Sequence, residues 1–334
     1  MTIDVILPAY EGLDTIDKAI ASVVMQKLDE GDRAKITIVN DCSPHSEAYD
    51  GITARWKEIT DIELITREEN GGAGAARQTG IDATDGDAIA FLDIDDVYGS
   101  PFALRALARE IKRGRDIAMG LFIEETPFGI VEHGENYVWC HGKMYSRDFI
   151  AANNIRFNDT RYNEDVYFNA VCKALTDRIS CIPQIVYIWQ NNRASTVRRD
   201  DTGYKYGFGW YAFIDNMTLA VKEMEAKHAD AAKIAMFVCS VLVRLYWNLN
   251  DVITNLPDSA ETAIGRCMQF YDEAARTYVE TGMIDYGDLA QHYFATTKNE
   301  APEIIPVFTF DSFLEKLGYF NDTERHYDNS AGSI

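Results

Sequence analysis

Residues 91 to 96 read Phe91-Leu92-Asp93-Ile94-Asp95-Asp96, an apolar run that leads directly into three carboxylates. A strand end with an Asp-x-Asp pattern suits a hard divalent cation, because carboxylate oxygens are the ligands that Mg²⁺ and Mn²⁺ prefer. Such a cation can in turn hold the phosphates of a nucleotide. Acidic turns after strands are common, however, so the meaning of this one depends on the sequence around it.

The first hundred residues alternate β-rich runs with helical patterns, as a parallel α/β sheet requires. The patterns predict strands over 3–7, 35–39, 62–66 and 88–92, with helices over 15–26, 46–59 and 75–83. Parallel strands end at one edge of the sheet, and open α/β sheets bind ligands there. We therefore expect Pro8, Asp41 and the Asp93 turn to be neighbours.

The rest of the chain has a different pattern. Residues 130–190 are mixed, with helices predicted at 147–153 and 165–174 and a strand at 185–189. Residues 201–325 lack strand alternation and are predicted to be helical, most clearly over 231–250. The last residues are polar enough to fray.

Composition limits the classes of protein that fit. The chain has 334 residues, of which 47% are hydrophobic, so it can bury a sizeable core. A net charge of -21 disfavours nonspecific attraction to nucleic acid or anionic membrane. The six cysteines include no Cys-x-x-Cys pair and are interpreted as reduced. No signal peptide is visible, and the apolar run 234–243 is too short to span a bilayer, so we expect a cytoplasmic protein.

Five short segments occur along the chain in a recognisable order. They are Ile6-Leu7-Pro8-Ala9-Tyr10, Val39-Asn40-Asp41, residues 70–77 (Asn-Gly-Gly-Ala-Gly-Ala-Ala-Arg), Asp93-Ile94-Asp95 and Asn163-Glu164-Asp165. Together they resemble the family 2 inverting glycosyltransferases with a GT-A fold, over about residues 1–200. The resemblance implies an α/β, Rossmann-like sheet, mixed but mostly parallel and flanked by helices. It places a catalytic domain at 1–200, with a nucleotide-binding half at 1–100 and an acceptor half at 101–200. The sequence patterns beyond it predict a helical region at 201–325 and a frayed tail at 326–334.

The donor-binding residues follow from this resemblance. It implies nucleotide-sugar contacts at Pro8, Ala9, Tyr10, Asp41, Asn70, Gly71, Arg77, Asp93 and Ile94. An Asp41 carboxylate can accept the N3–H of uracil, although it could also cap the turn at 42–44. The glycine-rich segment before a helix can bring backbone amides to a nucleotide, or it can be a plain turn. It is neither a Walker loop nor a dinucleotide-binding motif.

The carboxylates of the Asp-x-Asp turn and those of residues 164–165 are expected to have different roles in the reaction. Asp95 and Asp93 are candidate ligands of Mn²⁺ or Mg²⁺, with His141 as a third, and Asp96 is interpreted as solvating the turn. A cation would neutralise charge on the departing diphosphate. The resemblance makes Asp165 the general base and Glu164 its acceptor-orienting neighbour. The alternative is an ordinary helix start with an acidic first turn.

Two further segments fit the same scheme. Trp139 is a candidate acceptor platform, with core packing as the alternative, and Lys143 a candidate diphosphate contact. The locally basic loop at 193–199 is expected to close over the diphosphate. Its candidate residues are Arg193, Ser195, Thr196 and Arg198, and the alternative is a solvated loop.

The sequence therefore predicts a metal-dependent inverting glycosyltransferase, a hexosyltransferase that uses a UDP-sugar and a glycan or other hydroxyl acceptor. A sugar-nucleotidyltransferase is a second candidate, but it would carry a basic glycine-rich signature near the first strand. A noncatalytic sugar-nucleotide or glycan-binding protein is a third. Nucleic acid is disfavoured, although a hydroxymethylated DNA base stays open as an acceptor, and oligomerisation would use the C-terminal helices.

Overall fold

The chain forms two compact units, Met1–Arg199 and Asp200–Ile334. The structure is a computed structural model that describes residues 1–192, 207–300 and 306–323, with only the backbone described for 297–300. Each unit has its own core, and they are described separately below.

The first unit is built on one sheet with helices on both faces. Its strands are β1 (Thr2–Ala9), β2 (Arg33–Asn40), β3 (Ile62–Thr66), β4 (Ala88–Phe91), β5 (Val97–Tyr98), β6 (Ile117–Thr126), β7 (Gly129–His133), β8 (Lys143–Ser146) and β9 (Ile179–Trp189). Their order in the sheet is β3-β2-β1-β4-β8-β6-β9-β5, with β7 paired to β6. Strands β1 to β4 are mutually parallel, and β8 joins them antiparallel to β4.

The helices of this unit are α1 (Ile16–Val24), α2 (Ser46–Lys57), α3 (Ala73–Ala83), α4 (Ala103–Lys112), α5 (Arg147–Ala152) and α6 (Glu164–Leu175). Successive side chains of a strand point to opposite faces, so β1 serves two cores. Val5 and Leu7 lie in the core shared with α1, α2 and α4. Ile6 faces α3, where Gly80 leaves room for it: a Cβ there would lie 2.4 Å from Ile6 Cγ2. The predicted helix-flanked α/β sheet is confirmed.

The predicted boundaries differ from the observed ones where strands are irregular. β1 runs through Pro8 to Ala9, because the β4 ladder ends at the Ile6 pair and needs no N–H from Pro8. β9 begins six residues before the predicted 185, at Ile179. Its register against β6 shifts around Pro183, where a bulge hides the strand pattern. The sequence pattern also gave no prediction for α4, β6 or β7.

In its described residues the second unit consists of helices joined by turns, without a strand. Its helices are α7 (Gly209–Ala226), α8 (Ala231–Asn255), α9 (Ala260–Phe270), α10 (Arg276–Glu280), α11 (Tyr286–Glu300) and α12 (Phe310–Leu317). Asp230 caps α8 by accepting the N–H groups of Ala232 and Lys233.

The α8 helix bears on the expectation that no segment could cross a membrane. The expectation used the apolar run 234–243, but the helix extends over 25 residues and, alone among the described helices, passes a test of length and apolar composition for a span. Of its most apolar 18-residue window, 61% is buried inside the protein. Core helices pass the same test, so the finding is weak evidence for a membrane span.

Candidate active site

The ends of β1, β2 and β4 meet at one edge of the sheet, as expected from the parallel order. The N–H of Asp41 donates to the Ala9 carbonyl at 2.7 Å, and Ile6 pairs with Phe91 just before the Asp93 turn. Pro8 and Ala9 are buried, whereas Tyr10 is 49% exposed beside them. A bound ligand at this edge would therefore meet the Tyr10 ring.

Asp41 holds the glycine-rich segment instead of capping its own turn. Its Oδ2 accepts the N–H of Gly72 at 2.6 Å, and its Oδ1 accepts that of Gly71 at 3.1 Å. Arg67 also donates to Oδ1, and Asn70 donates its side-chain amide to the Asp41 carbonyl. The carboxylate thus accepts three hydrogen bonds from protein donors, two on Oδ1 and one on Oδ2. The following turn is capped by Asn40, whose Oδ1 accepts the N–H of Ser43 at 3.0 Å.

The loops after β1 and β2 enclose a cavity of about 270 Å³. It is lined by Glu11, Gly12, Leu13, Asp14, Ser43, Pro44, His45 and Tyr49. Glu11 and Cys42 both have a φ of 58°, in the left-handed region that side chains seldom adopt. Two hydrogen bonds hold the conformation of Glu11: its N–H donates to Ser43 Oγ, and its carbonyl accepts the hydroxyl of Tyr49. Cys42 is exposed at the rim.

Arg77 lies at the centre of the site, between two acidic segments. Its Nη2 donates to Asp93 Oδ1 at 2.8 Å, and its Nη1 donates to Glu164 Oε1 at 2.9 Å. The side chain is only 5% exposed. The guanidinium lies about 6 Å from the ring centres of Phe91 and Phe157. Arg77, predicted as a nucleotide-sugar contact, is therefore a buried bridge between the Asp-x-Asp turn and the start of α6.

Close packing of α3 against α6 makes this bridge possible. A Cβ at Gly74 would lie 2.5 Å from Cγ of Glu164 and 3.0 Å from its Cβ. A larger residue at position 74 would thus push Glu164 away from Arg77. The glycine-rich segment has a packing role here that is separate from any contact with a nucleotide.

The Asp-x-Asp turn and His141 form a group suited to a cation. Asp93 Oδ2 lies 3.6 Å from Nε2 of His141, and one ligand atom from each of Asp93, Asp96 and His141 falls within 4.8 Å of the others. Carboxylate and imidazole ligands together suit Mn²⁺. The described residues therefore fit a divalent cation at this point.

Asp95 and Asp96 have different surroundings. Asp96 is 1% exposed; Oδ2 accepts the hydroxyl of Tyr187 at 2.7 Å and Oδ1 accepts the N–H of Gln190 at 2.8 Å. It holds the turn against β9, so the expectation that it is solvated is wrong. Asp95 is partly exposed and accepts a hydrogen bond from the Asn192 amide at 2.8 Å. The side chain of Ile94, which lies between Asp93 and Asp95 in sequence, is in the hydrophobic core.

The pKa values of Asp93 and Asp96 are shifted in opposite directions. Burial raises the pKa of Asp96 well above its usual range, and the charges of Asp93 and Asp95 add to this effect. Burial acts in the same direction on Asp93, but Arg77 and His141 outweigh it and lower the pKa of that carboxyl. Asp93 therefore stays ionised, ready to bind a cation.

Helix α6 begins at Glu164, so that Glu164 and Asp165 lie in its first turn. Asn163 precedes it in the left-handed conformation, with a φ of 60°, and makes no side-chain cap. Asp165 Oδ1 accepts the N–H of Val166 at 2.8 Å. Burial and the charge of Asp165 raise the pKa of Glu164 to about 7, and burial also raises the pKa of Asp165. Asn163 therefore does not cap α6 with its side chain, and the acids themselves occupy the first turn.

The acceptor-side candidates are drawn together by a buried network. Lys143 is 2% exposed and its ammonium donates to the Trp139 carbonyl, so the structure does not bring it to the surface of the cleft. Burial lowers the pKa of Lys143 to about 8. Asn169 of α6 donates to the carbonyls of Val138 and Asp165 at 3.1 and 2.8 Å. The loop that carries Trp139 is thereby fixed to the helix that carries Asp165.

Trp139 is partly exposed and belongs to a cluster of rings. Its ring centre lies 5.6 Å from that of Trp189 and 6.0 Å from that of His141. His141 in turn stacks on Tyr187 at 4.8 Å. Trp139 thus packs against the core and still has accessible surface near the Asp93 turn.

Several residues of the site were not predicted from sequence. Arg67, Asn169 and Tyr187 belong to none of the five motifs. Each forms a hydrogen bond with a residue at least 24 positions away in the chain. The one available signal was burial of a polar residue in an apolar run, as for Tyr187 between Val186 and Ile188. The loop candidates Arg193, Ser195, Thr196 and Arg198 lie outside the described residues.

Comparison with known proteins bears on this geometry. A family model described as Glycosyl transferase family 2 matches residues 4–163, which include every motif up to Asn163. The chain carries a family 2 glycosyltransferase domain. The matched residues run from within β1 past β8 and α5, and they include Arg77 and Asp93 but end one residue before Glu164.

Two bacterial proteins are similar to this chain in sequence. Succinoglycan biosynthesis protein ExoO of Rhizobium meliloti (strain 1021) is 28% identical over 225 residues, 58% of this chain and 62% of that protein. Poly(ribitol-phosphate) beta-glucosyltransferase of Bacillus spizizenii is 25% identical over 256 residues, 70% of this chain and 39% of that protein. The chain thus spans less than two thirds of the length of these relatives.

Solved structures share the fold. S. aureus TarS 1-349 in complex with UDP-GlcNAc matches with a TM-score of 0.71 and 17% identity, over 98% of this chain and 92% of that one. Mannosyltransferase PcManGT from Pyrobaculum calidifontis, in complex with GDP-Man and Mn²⁺, matches with a TM-score of 0.51 and 12% identity, over 98% and 87%. The predicted GT-A fold with a helical C-terminal region is confirmed.

Proposed function

We propose that this glycosyltransferase is metal-dependent and inverting, and that it moves a sugar from a nucleoside diphosphate, with UDP as the favoured nucleotide, to an acceptor hydroxyl. The observation that carries the proposal is the Arg77 bridge, which sets Asp93 and Glu164 on two sides of one guanidinium. A diphosphate held at the Asp93 turn would thus lie close to the acids of α6. The UDP and UDP-GlcNAc complexes of TarS support the choice of nucleotide.

Asp165 is the proposed general base. The Glu164 carboxylate is bound to Arg77 and 10% exposed, whereas Asp165 is partly exposed. One Asp165 oxygen accepts its own helix N–H, and the other has no hydrogen-bond partner in the described parts of the chain. Because burial raises its pKa, the Asp165 carboxylate is a stronger base and accepts the proton of an acceptor hydroxyl more readily. Glu164 is then the residue that orients the acceptor side.

The reaction needs one bond made and one broken. The acceptor oxygen attacks the anomeric carbon as Asp165 takes its proton, and the bond from that carbon to the diphosphate oxygen breaks. Attack opposite the leaving group inverts the configuration, so an α-linked donor gives a β-linked product. The partly exposed Trp139 is the proposed acceptor contact, where an aromatic face can pack on a sugar ring.

The proposed cation ligands are Asp93, Asp95 and His141. Asp96 is less suited, because both of its oxygens already accept hydrogen bonds in a buried setting. When bound, Mn²⁺ or Mg²⁺ would supply Lewis-acid stabilisation of the departing diphosphate. His141 would act with its Nε2, which already faces Asp93.

The nucleotide end has a separate set of proposed contacts. They are Pro8, Ala9, Tyr10, Asp41, Asn70, Gly71 and the main chain at Ile94. Asp41 now binds the amides of Gly71 and Gly72, so a uracil N3–H would share or replace one of these donors. The basic loop at 193–199 is proposed to cover the diphosphate and exclude water.

A donor panel tests the proposed function. UDP-, GDP-, ADP- and dTDP-sugars would be incubated with Mn²⁺, with Mg²⁺ and with excess EDTA, and free nucleoside diphosphate would be measured. We expect release from UDP-sugars that requires a divalent cation. Unchanged release in EDTA would contradict the metal sites. Pyrophosphate exchange would indicate a nucleotidyltransferase instead, and binding without any turnover a noncatalytic protein.

A further inference from the structure

Arg77 joins two segments that belong to different jobs in the proposed reaction. Asp93 lies on the turn that would bind the cation and the diphosphate. Glu164 lies in the first turn of α6, next to the proposed base. The two carboxylates are 71 residues apart in sequence, yet they bind the two terminal nitrogens of one guanidinium.

The charge balance at the bridge makes it sensitive to a ligand. One buried cation serves two carboxylates, and its remaining Nε has no hydrogen-bond partner in the described parts of the chain. Asp93 is the more exposed of the two, at 27% against 10% for Glu164. A divalent cation that binds Asp93 competes with Arg77 for that carboxylate. The guanidinium then interacts more strongly with Glu164.

We propose that Arg77 is a positioning residue that couples cation and donor binding at Asp93 to the placement of the acidic start of α6. This inference rests on the proposed function. It means that the acceptor side is fully ordered only once the donor is bound, and by linkage that the charge at Glu164 affects the affinity for the metal and nucleotide. Couplings of this kind change affinities by about 5- to 150-fold.

Calorimetric titration of the full chain with UDP in the presence of Mn²⁺ tests the coupling without knowledge of the acceptor. Glu164→Gln removes the second carboxylate, so Arg77 binds Asp93 alone and competes better with the cation. We expect affinity for UDP to fall by about 5- to 10-fold. Asp165→Asn is the matched control, because it removes a neighbouring charge without touching Arg77. It should change the affinity by less than about twofold.

Gly74→Ala tests the geometry without altering any charge. Its Cβ would displace Glu164, so UDP affinity should fall as in Glu164→Gln. Adding Glu164→Gln to Gly74→Ala should then have little further effect. Gly51→Ala is the control for a helical glycine, because a Cβ there meets nothing within 4 Å. Thermal unfolding of each variant checks that the fold is kept.

The outcomes separate this inference from the proposed function. If the unmodified protein does not bind UDP with Mn²⁺, the proposed function fails. If it binds UDP but Glu164→Gln and Gly74→Ala bind it equally well, only the coupling is wrong. Equal losses in Glu164→Gln and Asp165→Asn would also overturn it, because they would indicate a general effect of charge. Arg77→Lys keeps the charge but cannot bridge both acids, and we expect it to bind UDP without any response to Glu164→Gln.

Discussion

The nucleotide end and the acceptor side of this site are held in different ways. Asp41 is fixed largely by main-chain amides of a glycine-rich segment about 30 residues away. The acceptor side depends on buried side chains that reach across the fold, such as Asn169 to the Val138 carbonyl and Arg77 to Glu164. Main-chain donors stay in place when side chains change, whereas substitution of one buried side chain removes its contact altogether. The acceptor side should therefore be the more easily altered by mutation.

The largest effect is expected at Asp165, where the chemistry is proposed to occur. Asp165→Asn should lower kcat by about 10²- to 10⁴-fold, as for loss of a general base, with donor affinity close to normal. Product formation and calorimetric binding of UDP would be measured together. Normal turnover in this variant would move the base to another residue.

Lys143 offers a test through pH. Burial lowers its pKa from 10.5 to about 8, so between these values the unfolded chain binds more protons than the folded one. The lysine's contribution to the free energy of unfolding therefore rises from pH 8 towards pH 10. Lys143→Met should be more stable than the parent at pH 7, by up to about 3 kcal/mol before the lost hydrogen bond is subtracted.

Urea unfolding of both proteins at pH 7, 8, 9 and 10 would measure this difference. We expect the advantage of Lys143→Met to shrink steadily as the pH rises. A difference that does not vary with pH would show that Lys143 is not charged and buried in the folded protein.

A smaller effect is expected at the nucleotide end. In Asp41→Asn one oxygen is replaced by an amide that cannot accept the N–H of Gly72, so the glycine-rich segment should loosen. UDP affinity should fall about tenfold, in line with loss of a charge-assisted hydrogen bond. Asp17→Asn is the control, because it removes an exposed charge paired with Arg55. If both variants bind UDP alike, Asp41 does not organise the donor site.

The smallest effect is expected for Tyr187→Phe. The hydroxyl donates to Asp96 and accepts the N–H of Asp93, so its loss should lower the free energy of unfolding by about 1 kcal/mol. Tyr286→Phe, at an exposed tyrosine that hydrogen-bonds Asp311, should change it by less than about 0.5 kcal/mol. Equal effects in the two variants would argue against a role for Tyr187 in holding the Asp-x-Asp turn.

The same contrast explains what could be predicted from the sequence. Strand β3 was predicted with its observed bounds, and the meeting of Pro8, Asp41 and Asp93 followed from the parallel strand order alone. The partners of Arg77 did not follow, because tertiary packing decides which buried groups meet, here across 16 and 87 residues of chain. Asp96 illustrates the limit: its type and position suggested solvent, but β9 covers it.

The exposed thiol of Cys42 gives this protein an attachment point for an optical reporter. Cys140, Cys172, Cys239 and Cys267 are buried and Cys181 is partly covered, so a maleimide dye should label Cys42 first. The label would stand beside Asp41, at the rim of the loops that enclose the cavity. Its fluorescence could follow the arrival and departure of donors in real time, and so rank sugar nucleotides before any acceptor is known.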